Sequence, residues 1–237
     1  MPSTFAGTPA EALVGGQTSE DIDYFDSVTD PAPRVIGLVL LLTFVFLTVV
    51  FRSVVVAATA VGLNLLSVGA AYGLLVLVFQ DGRGADLFGF QQTDTIEAWV
   101  PLFLFSVLYG LSMDYHVFLL SRIREYYDAT KDTTGAVTAG VGSTARIITG
   151  AALIIVAVFA GFARGDLIES QQMGFGIAVA LLIDATVIRS VLLPSAMKLL
   201  GGRNWYLPRW LRWLPRLQVE TASSYPLRHG FGRKGLE

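Results

Sequence analysis

Five long apolar segments dominate this sequence and limit the folds open to it. They lie at approximately 34–51, 54–79, 99–121, 145–163 and 172–196. Each meets the length of roughly 17 to 25 residues that a helix needs to cross a hydrocarbon core about 30 Å thick. The chain is also 53% hydrophobic and only 15% charged, which is typical of a membrane protein. We therefore predict an all-α fold, a polytopic transmembrane helix bundle of five spans.

The distribution of lysine and arginine predicts the orientation of these spans. With the N-terminus outside, the outer side receives only Arg34, Arg83 and Arg164. The inner side then receives most of the basic residues, namely Arg52, Arg122, Arg124, Lys131, Arg146, Lys198 and those after residue 200. We expect an acidic extracytoplasmic segment at 1–33, the membrane domain at 34–200 and a basic, aromatic cytoplasmic tail at 201–237.

The tail begins "GGRNWYLPRWLRWLPRL", in which arginine alternates with aromatic residues. Such a segment is expected at headgroup level, with its rings toward the acyl chains and its guanidinium groups toward lipid phosphates. A helix that binds a partner protein is the alternative interpretation. At the other end, the first 28 residues lack the basic and apolar regions of a signal peptide, so the first span is expected to direct insertion.

The composition excludes several classes of function. The balance of 17 Lys+Arg against 19 Asp+Glu argues against nucleic acid as a partner. With no cysteine and two histidines, no metal site is predicted. The sequence has no glycine-rich phosphate loop, no GxSxG elbow and no HExxH motif, so we expect neither an enzyme nor a bound cofactor. Any transport would be driven by an ion gradient or by a partner.

Three ionisable residues lie inside the predicted spans, where burial costs at least a few kcal/mol: Asp114, His116 and Asp184. At about 1.5 Å per residue, both aspartates lie roughly 18 to 23 Å from the outer face and could share a polar compartment. Asp114 is interpreted either as a proton carrier or as a structural aspartate bonded to polar groups such as Asn64, Ser67 or Thr149.

His116 follows Asp114 by two positions and is expected on roughly the opposite face of the helix. It would serve in a proton relay or as a polar contact to a neighbouring helix. Asp184 would belong to the proton path or form an ion pair with another helix or a loop. Arg189 is five residues further on, so we expect it not to share a face with Asp184 but to extend toward the inner interface.

Four separated stretches share a pattern with a known family: "GLSMDYHVFLLSRIREYY", "ITGAALIIVAVFAGFA", "MGFGIAVALLIDATVIRSVLLPSAMKLLG" and "NWYLPRWL". They resemble the C-terminal membrane domain of MMPL-type transporters, the lipid-exporting branch of the RND superfamily. The resemblance covers about residues 14–214 and implies that the five spans correspond to transmembrane helices eight to twelve. It also implies that the extracytoplasmic segment 1–33, with "VGGQTSEDIDYFD", is the remnant of a porter domain. It further implies that Asp114 and Tyr115 match the Asp-Tyr pair used for proton relay, while His116 replaces a residue that is usually acidic.

Members of that family have two homologous halves, each with a porter domain, six helices and an Asp-Tyr pair. This chain has one pair and five helices, so it is interpreted as a fragment, a truncated gene product or a split subunit. The leading hypothesis is the C-terminal portion of a proton-coupled exporter of lipids or other hydrophobic compounds in a bacterial inner membrane, with H⁺ as coupling ion and a complementary N-terminal half as partner. A non-transporting remnant or accessory subunit is the alternative, and a small channel is a third interpretation.

Overall fold

The computed structural model describes residues 16–211 and residue 213. Within that part of the chain there is no strand, and five helical stretches are long and apolar enough to cross a membrane. The prediction of an all-α bundle with five spans is confirmed. Of the predicted head and tail, residues 1–15, 212 and 214–237 lie outside the described part.

The described residues form eight α-helices, two of which continue into π-helical turns. Their bounds are α1 Gln17–Thr29, α2 Ala32–Phe51, α3 Val54–Leu75, α4 Ala85–Phe88, α5 Trp99–Thr130, α6 Thr133–Phe162, α7 Ile168–Ile183 and α8 Leu193–Leu200. The π-helical segments are Val76–Gln80 after α3 and Asp184–Leu192 between α7 and α8. Short 3₁₀ turns follow at Gly201–Trp205 and Arg209–Leu211.

The first two spans are joined by a reversal of two residues. Arg52 ends α2 in the left-handed conformation, with φ of 48°. Ser53 is extended and caps α3, where its hydroxyl accepts a hydrogen bond of 3.1 Å from the Val56 amide. This pairing of a left-handed residue with an N-cap explains why so short a connection can turn the chain back across the membrane.

The third and fourth spans are longer than the apolar runs that predict them. Helix α5 continues to Thr130 and α6 begins at Thr133, whereas the apolar segments cover only 99–121 and 145–163. Lys131 is left-handed, with φ of 56°, and the Asp132 carboxylate accepts hydrogen bonds of 3.0 Å from two amides of the first turn of α6. The sequence between the apolar runs is therefore helical rather than a loop, because it carries its own capping residues.

Helix α7 is packed against α3, α5 and α6, and α2 packs mainly against α3. The buried apolar residues form two clusters that follow each other along the bundle. One includes Leu75, Leu104 and Ile177, and the other includes Leu47, Ile123 and Leu193. On α5 and on the segment after α7, the stretch between these two clusters holds the buried polar and charged side chains.

Close packing between helices depends on particular glycines. A Cβ atom at Gly174 of α7 would lie 2.6 Å from the Phe159 carbonyl oxygen and 2.9 Å from the Phe162 carbonyl carbon. These are backbone atoms of α6, so they cannot move aside as a side chain would. By contrast, Gly69 and Gly73, whose spacing suggests a close helix contact, have no atom of a neighbouring helix within 4 Å of such a Cβ in the described chain.

We expect Gly174→Ala to destabilise the bundle by about 1 to 3 kcal/mol, because the added methyl group forces α6 and α7 apart. Thermal unfolding of the purified chain, followed by tryptophan fluorescence, measures this loss. Gly69→Ala is the matched control and should leave the midpoint unchanged or raise it slightly, because alanine favours the helix. Equal midpoints for the two variants would contradict the assigned α6–α7 contact.

Candidate functional site

A buried ion pair lies on the π-helical segment between the two apolar clusters. The Arg189 Nη2 atom donates to the Asp184 Oδ2 atom at 2.8 Å, and both residues are 3% exposed. Among the salt bridges of the described residues, the other three lie on exposed or half-exposed parts of α5 and its C-terminal cap. The Asp184–Arg189 pair is therefore the one whose charges are removed from solvent in this part of the chain.

The prediction that Arg189 does not share a face with Asp184 is wrong. In an α-helix, residues five apart are separated by about 140° around the axis. The chain is instead π-helical from Asp184 to Leu192, with hydrogen bonds between residues five apart, so positions 184 and 189 come together on one side. The wider turn lets one helix supply both members of the ion pair, and Arg189 points into the bundle instead of extending to the interface.

Helix α5 completes this cluster with two side chains. The Ser112 hydroxyl donates to the same Asp184 Oδ2 atom at 3.1 Å. The Arg189 Nη2 atom also donates to the Ser112 carbonyl oxygen at 3.2 Å and approaches the His116 Nδ1 atom to 3.4 Å. Ser112 and His116 are one helical turn apart, so both face the π-helical segment, and His116 is only 1% exposed.

The donors and acceptors of this cluster assign one tautomer to neutral His116. Its Nδ1 atom lies 3.1 Å from the Ser112 carbonyl oxygen and 3.3 Å from the Ser112 hydroxyl oxygen. The carbonyl can only accept, and the hydroxyl hydrogen is used on Asp184, so a hydrogen on Nδ1 satisfies both oxygens. The approach of Arg189 Nη2 to Nδ1 at 3.4 Å is then a contact between two donors and not a hydrogen bond. The Nε2 lone pair is then free, and within the described residues this buried atom has no partner.

Two further atoms of the cluster are also buried without a hydrogen bond in the described part of the chain. They are Oδ1 of Asp184 and Nε of Arg189. An ion pair whose remaining lone pairs and protons are unsatisfied contributes little to stability, because its desolvation cost is not fully repaid. Within the described residues the cluster therefore keeps one open donor, on Arg189, and open acceptors on Asp184 and His116.

Asp114 lies on the opposite face of α5, as its two-residue offset from Ser112 and His116 predicts. The side chain is exposed on the surface of the bundle, and within residues 16–211 no hydrogen bond or ion pair reaches it. The interpretation of Asp114 as a structural aspartate bonded to Asn64, Ser67 or Thr149 therefore fails within the described chain. Ser67 instead donates to the Ala180 carbonyl oxygen at 3.4 Å.

Tyr115 connects the exposed aspartate to the buried cluster. It follows Asp114 in the chain, is half-buried, and its ring lies under the Arg189 guanidinium with 5.1 Å between Cζ and the ring centroid. This distance is within the range of a cation–π interaction. The two aspartates lie at similar depth because Ser112 contacts Asp184, but they do not share a compartment: Asp114 faces outward and Asp184 faces the bundle core.

The sequence prediction included Asp114, Tyr115, His116 and Asp184 but missed Ser112, and it placed Arg189 wrongly. An arginine within an apolar run is a signal that a carboxylate partner is near, whatever the helical spacing. Ser112 has no comparable signal, because a serine in a membrane helix usually bonds its own helix, as Ser106 does to Leu102. Within the described residues no group of acidic or histidine side chains could hold a metal ion.

The fold and the comparisons with other proteins identify the class of this protein. Five apolar helices with a charged cluster between them define a multi-pass membrane protein. A profile of the MMPL family matches residues 3–223, so the chain belongs to the MMPL family. It is 45% identical over 216 residues to the "Mycolic acid-containing lipids exporter MmpL11" of Mycolicibacterium smegmatis, covering 91% of this chain and 22% of that relative.

Two other relatives carry different names. The "Heme uptake protein MmpL11" of Mycobacterium tuberculosis is 45% identical over 202 residues, covering 85% of this chain and 21% of the relative. The "Trehalose monomycolate exporter MmpL3" of Mycolicibacterium smegmatis is 37% identical over 202 residues, covering 85% of this chain and 20% of the relative. The chain thus spans about a fifth of the length of these curated relatives.

Proposed function

We propose that this chain supplies the C-terminal membrane portion of an exporter of lipids or other hydrophobic compounds, driven by the proton-motive force across a bacterial inner membrane. The observation that carries the proposal is Asp114, an exposed carboxylate in the middle of a membrane helix. Placing such a group against lipid costs at least a few kcal/mol. That cost is avoided if another helix of the transporter covers this face and supplies polar partners.

The face of α5 around Asp114 suits such a contact. Phe103, Ser106, Gly110 and Asp114 are spaced three or four residues apart and all are exposed, so they form one continuous stripe. Ser106 and Gly110 are small, which lets a second helix approach closely, and the carboxylate at the end of the stripe would accept hydrogen bonds from it. The proposed partner on this stripe is the complementary N-terminal half of the transporter.

In the proposed mechanism Asp114 binds a proton from one side of the membrane and releases it to the other. Protonation removes its negative charge and weakens its contacts to the partner half, which permits the helices to shift. Tyr115 would position this step, because it follows Asp114 in the chain and its ring lies under the Arg189 guanidinium. Through Tyr115, protonation of Asp114 would alter the surroundings of the buried ion pair.

The buried cluster would serve as a second part of the proton path. His116 can accept a proton at its free Nε2 atom and release the Nδ1 proton toward Ser112, whose hydroxyl already donates to Asp184. The transfers from Nδ1 to the Ser112 hydroxyl and from that hydroxyl to Asp184 each move one proton along an existing hydrogen bond. Nε2 has no partner in the described residues, so the proton it accepts comes from outside the cluster. The acceptance of a proton by Asp184 would break its ion pair with Arg189, and so couple proton movement to the packing of α5 against α7.

The substrate class is proposed from the relatives that are named as lipid exporters. The orientation is proposed from the arginine and lysine distribution, with residue 16 outside and the segment after α8 in the cytoplasm. The name of one relative refers to heme uptake, and heme is also hydrophobic. Nothing in the described residues favours heme over lipid, since no metal-binding group of side chains is found there.

The proposed function is tested by co-expressing the full chain, carrying an affinity tag, with the N-terminal portion of a family transporter that ends where the homology to this chain begins. We expect the two pieces to purify together and, in proteoliposomes, to move a fluorescent lipid when a proton gradient is imposed. A protonophore should reduce this movement to the rate of empty liposomes. Recovery of the tagged chain alone, as a monodisperse species, would contradict the split arrangement and favour an accessory role.

A further inference from the structure

A cavity of about 1170 Å³ lies where the turn between α2 and α3 meets the segment after α8. Three arginines line it, namely Arg52, Arg203 and Arg209, together with the aromatic residues Trp205 and Tyr206, and among the described residues that line it none is acidic. We refer to this cavity as the basic cavity. It is remote from the Asp184 cluster, and the proposed transport function makes no use of it.

The polypeptide that forms the cavity wall is fixed by buried hydrogen bonds. The Ser53 hydroxyl donates to the Asn204 carbonyl oxygen, and the Val54 amide donates to the Tyr206 carbonyl oxygen at 3.3 Å. The Asn204 side-chain amide donates to the Met197 and Gly201 carbonyl oxygens. Ser53 and Asn204 are both 0% exposed. The segment after α8 is therefore attached to the start of α3, and the cavity exists before any ligand arrives.

Trp205 is held by contacts of its ring. The ring stacks on Tyr127 with centroids 4.4 Å apart, and the Arg124 guanidinium lies over the Trp205 ring, 4.7 Å from its centroid. Arg124 is itself paired with Asp128 at 3.0 Å. The neighbouring carboxylate thus neutralises Arg124, whereas none of the salt bridges in the described residues includes Arg203 or Arg209.

The charge of the cavity favours a phosphate group as its ligand. Guanidinium groups present donors in a planar fork that matches the oxygens of a phosphate, and a pair of them binds it more specifically than a single ammonium group. The N-terminus of α3, a helix of 22 residues, also opens at this wall through Val55. Its positive dipole end adds to the attraction for an anion.

The position of the cavity relative to the membrane favours a lipid as the source of that phosphate. Arg52 and Ser53 separate two membrane spans that end at Phe51 and begin at Val54, so the cavity lies at the boundary of the membrane. Trp210 and Trp213, just beyond the cavity, are 73% and 76% exposed, and Leu199 on α8 is 88% exposed. Exposed indole rings are typical of the headgroup level, where lipid phosphates also lie.

We propose that the basic cavity binds the phosphate of an anionic membrane lipid, with Arg203 and Arg209 as its principal ligands. The acyl chains of that lipid lie along the apolar surface next to α8. This extends the expectation of a headgroup-level anchor to one defined binding site with a preferred lipid charge. The site orients the end of the bundle against one leaflet, and it does so whether or not the chain transports anything.

Native mass spectrometry of the full chain, purified in a neutral detergent, tests the proposal. The probes are phosphatidylglycerol, phosphatidylcholine and inorganic phosphate, each titrated alone and the last also as a competitor of phosphatidylglycerol. We expect one phosphatidylglycerol to bind in preference to phosphatidylcholine. Arg203→Gln with Arg209→Gln should weaken this binding about 25-fold, since each basic residue at an anionic surface contributes roughly fivefold.

The matched control is Arg83→Gln with Arg164→Gln, which removes two exposed arginines from the other end of the spans. It should bind phosphatidylglycerol as the unchanged chain does. Because Arg203 and Arg209 are exposed, both double variants should keep the same thermal midpoint, and this measurement excludes unfolding as the cause. Equal binding of phosphatidylglycerol by the two double variants would overturn the site. Inorganic phosphate that binds as tightly as the lipid and displaces it would overturn the assignment to a lipid.

Discussion

Asp114→Asn is expected to abolish gradient-driven export by the assembled transporter. Asparagine has the shape of aspartate and can still accept a hydrogen bond, but it cannot bind and release a proton. The variant therefore removes the titratable charge at position 114 without changing the packing of the side chain. The measurement is lipid movement in proteoliposomes with an imposed proton gradient, using this chain together with its complementary half. The rate should fall to that observed without a gradient.

The control for this experiment is Asp86→Asn. Asp86 is an exposed carboxylate in the short helix α4, outside the five spans, and its loss removes the same charge from the chain. Export should be unchanged in that variant. A second comparison, Asp114→Glu, keeps a titratable carboxyl and should retain part of the activity. Export by Asp114→Asn within a factor of about two of the unchanged protein would end the assignment of Asp114 as proton carrier.

The number of spans could be predicted because each apolar run alone is long enough to cross the membrane. The ends of the third and fourth helices could not, because hydropathy reports contact with lipid and not the end of the helix. Beyond the apolar runs, α5 and α6 continue with polar residues up to Lys131 and Asp132. The capping pattern there, a carboxylate followed by "TTG", is visible in the sequence and would have located the start of α6 correctly.

The face of Asp114 could be predicted from the residues, but the geometry of Asp184 and Arg189 could not. Because α5 is a regular α-helix, the two-residue offset between Asp114 and His116 places the two side chains on opposite faces. For the second aspartate, the same reasoning assumes 3.6 residues per turn, and the π-helical segment Asp184–Leu192 breaks that assumption. The energetic signal, an arginine and an aspartate in one apolar helix, was a better guide to their contact than their spacing.

The glycines illustrate a similar difference between pattern and contact. Gly69 and Gly73 have the spacing of a close helix pair, but within the described chain they face no neighbouring helix. Gly140 and Gly174 have no second glycine at that spacing, yet a Cβ at Gly140 would lie 3.1 Å from the Ile123 amide nitrogen on α5. Which glycine matters depends on where the helices cross, and this follows from tertiary packing that a single sequence does not display.

The second large effect is expected at the buried ion pair, where stability and transport can be separated. Asp184→Asn leaves the Arg189 guanidinium buried without a counter-charge, and Arg189→Met leaves the Asp184 carboxylate in the same state. Each change alone should destabilise the bundle by about 3 to 5 kcal/mol, because an uncompensated buried charge is more costly than no charge. Thermal unfolding in detergent, followed by tryptophan fluorescence, measures these losses.

The double variant Asp184→Asn with Arg189→Met distinguishes a structural role of the ion pair from a role in proton transfer. Removing both charges removes the desolvation cost of both, so the double variant should recover most of the stability that either single variant loses. If the pair serves only to hold α5 and α7 together, export should recover with stability.

We expect instead that the stable double variant remains inactive in the proteoliposome assay, since Asp184 could no longer accept a proton from the Ser112 hydroxyl. Arg164→Met, at an exposed position between α6 and α7, serves as control and should change neither quantity. Full export by the double variant would remove Asp184 and Arg189 from the proton path and leave Asp114 with Tyr115 as the coupling site of this chain.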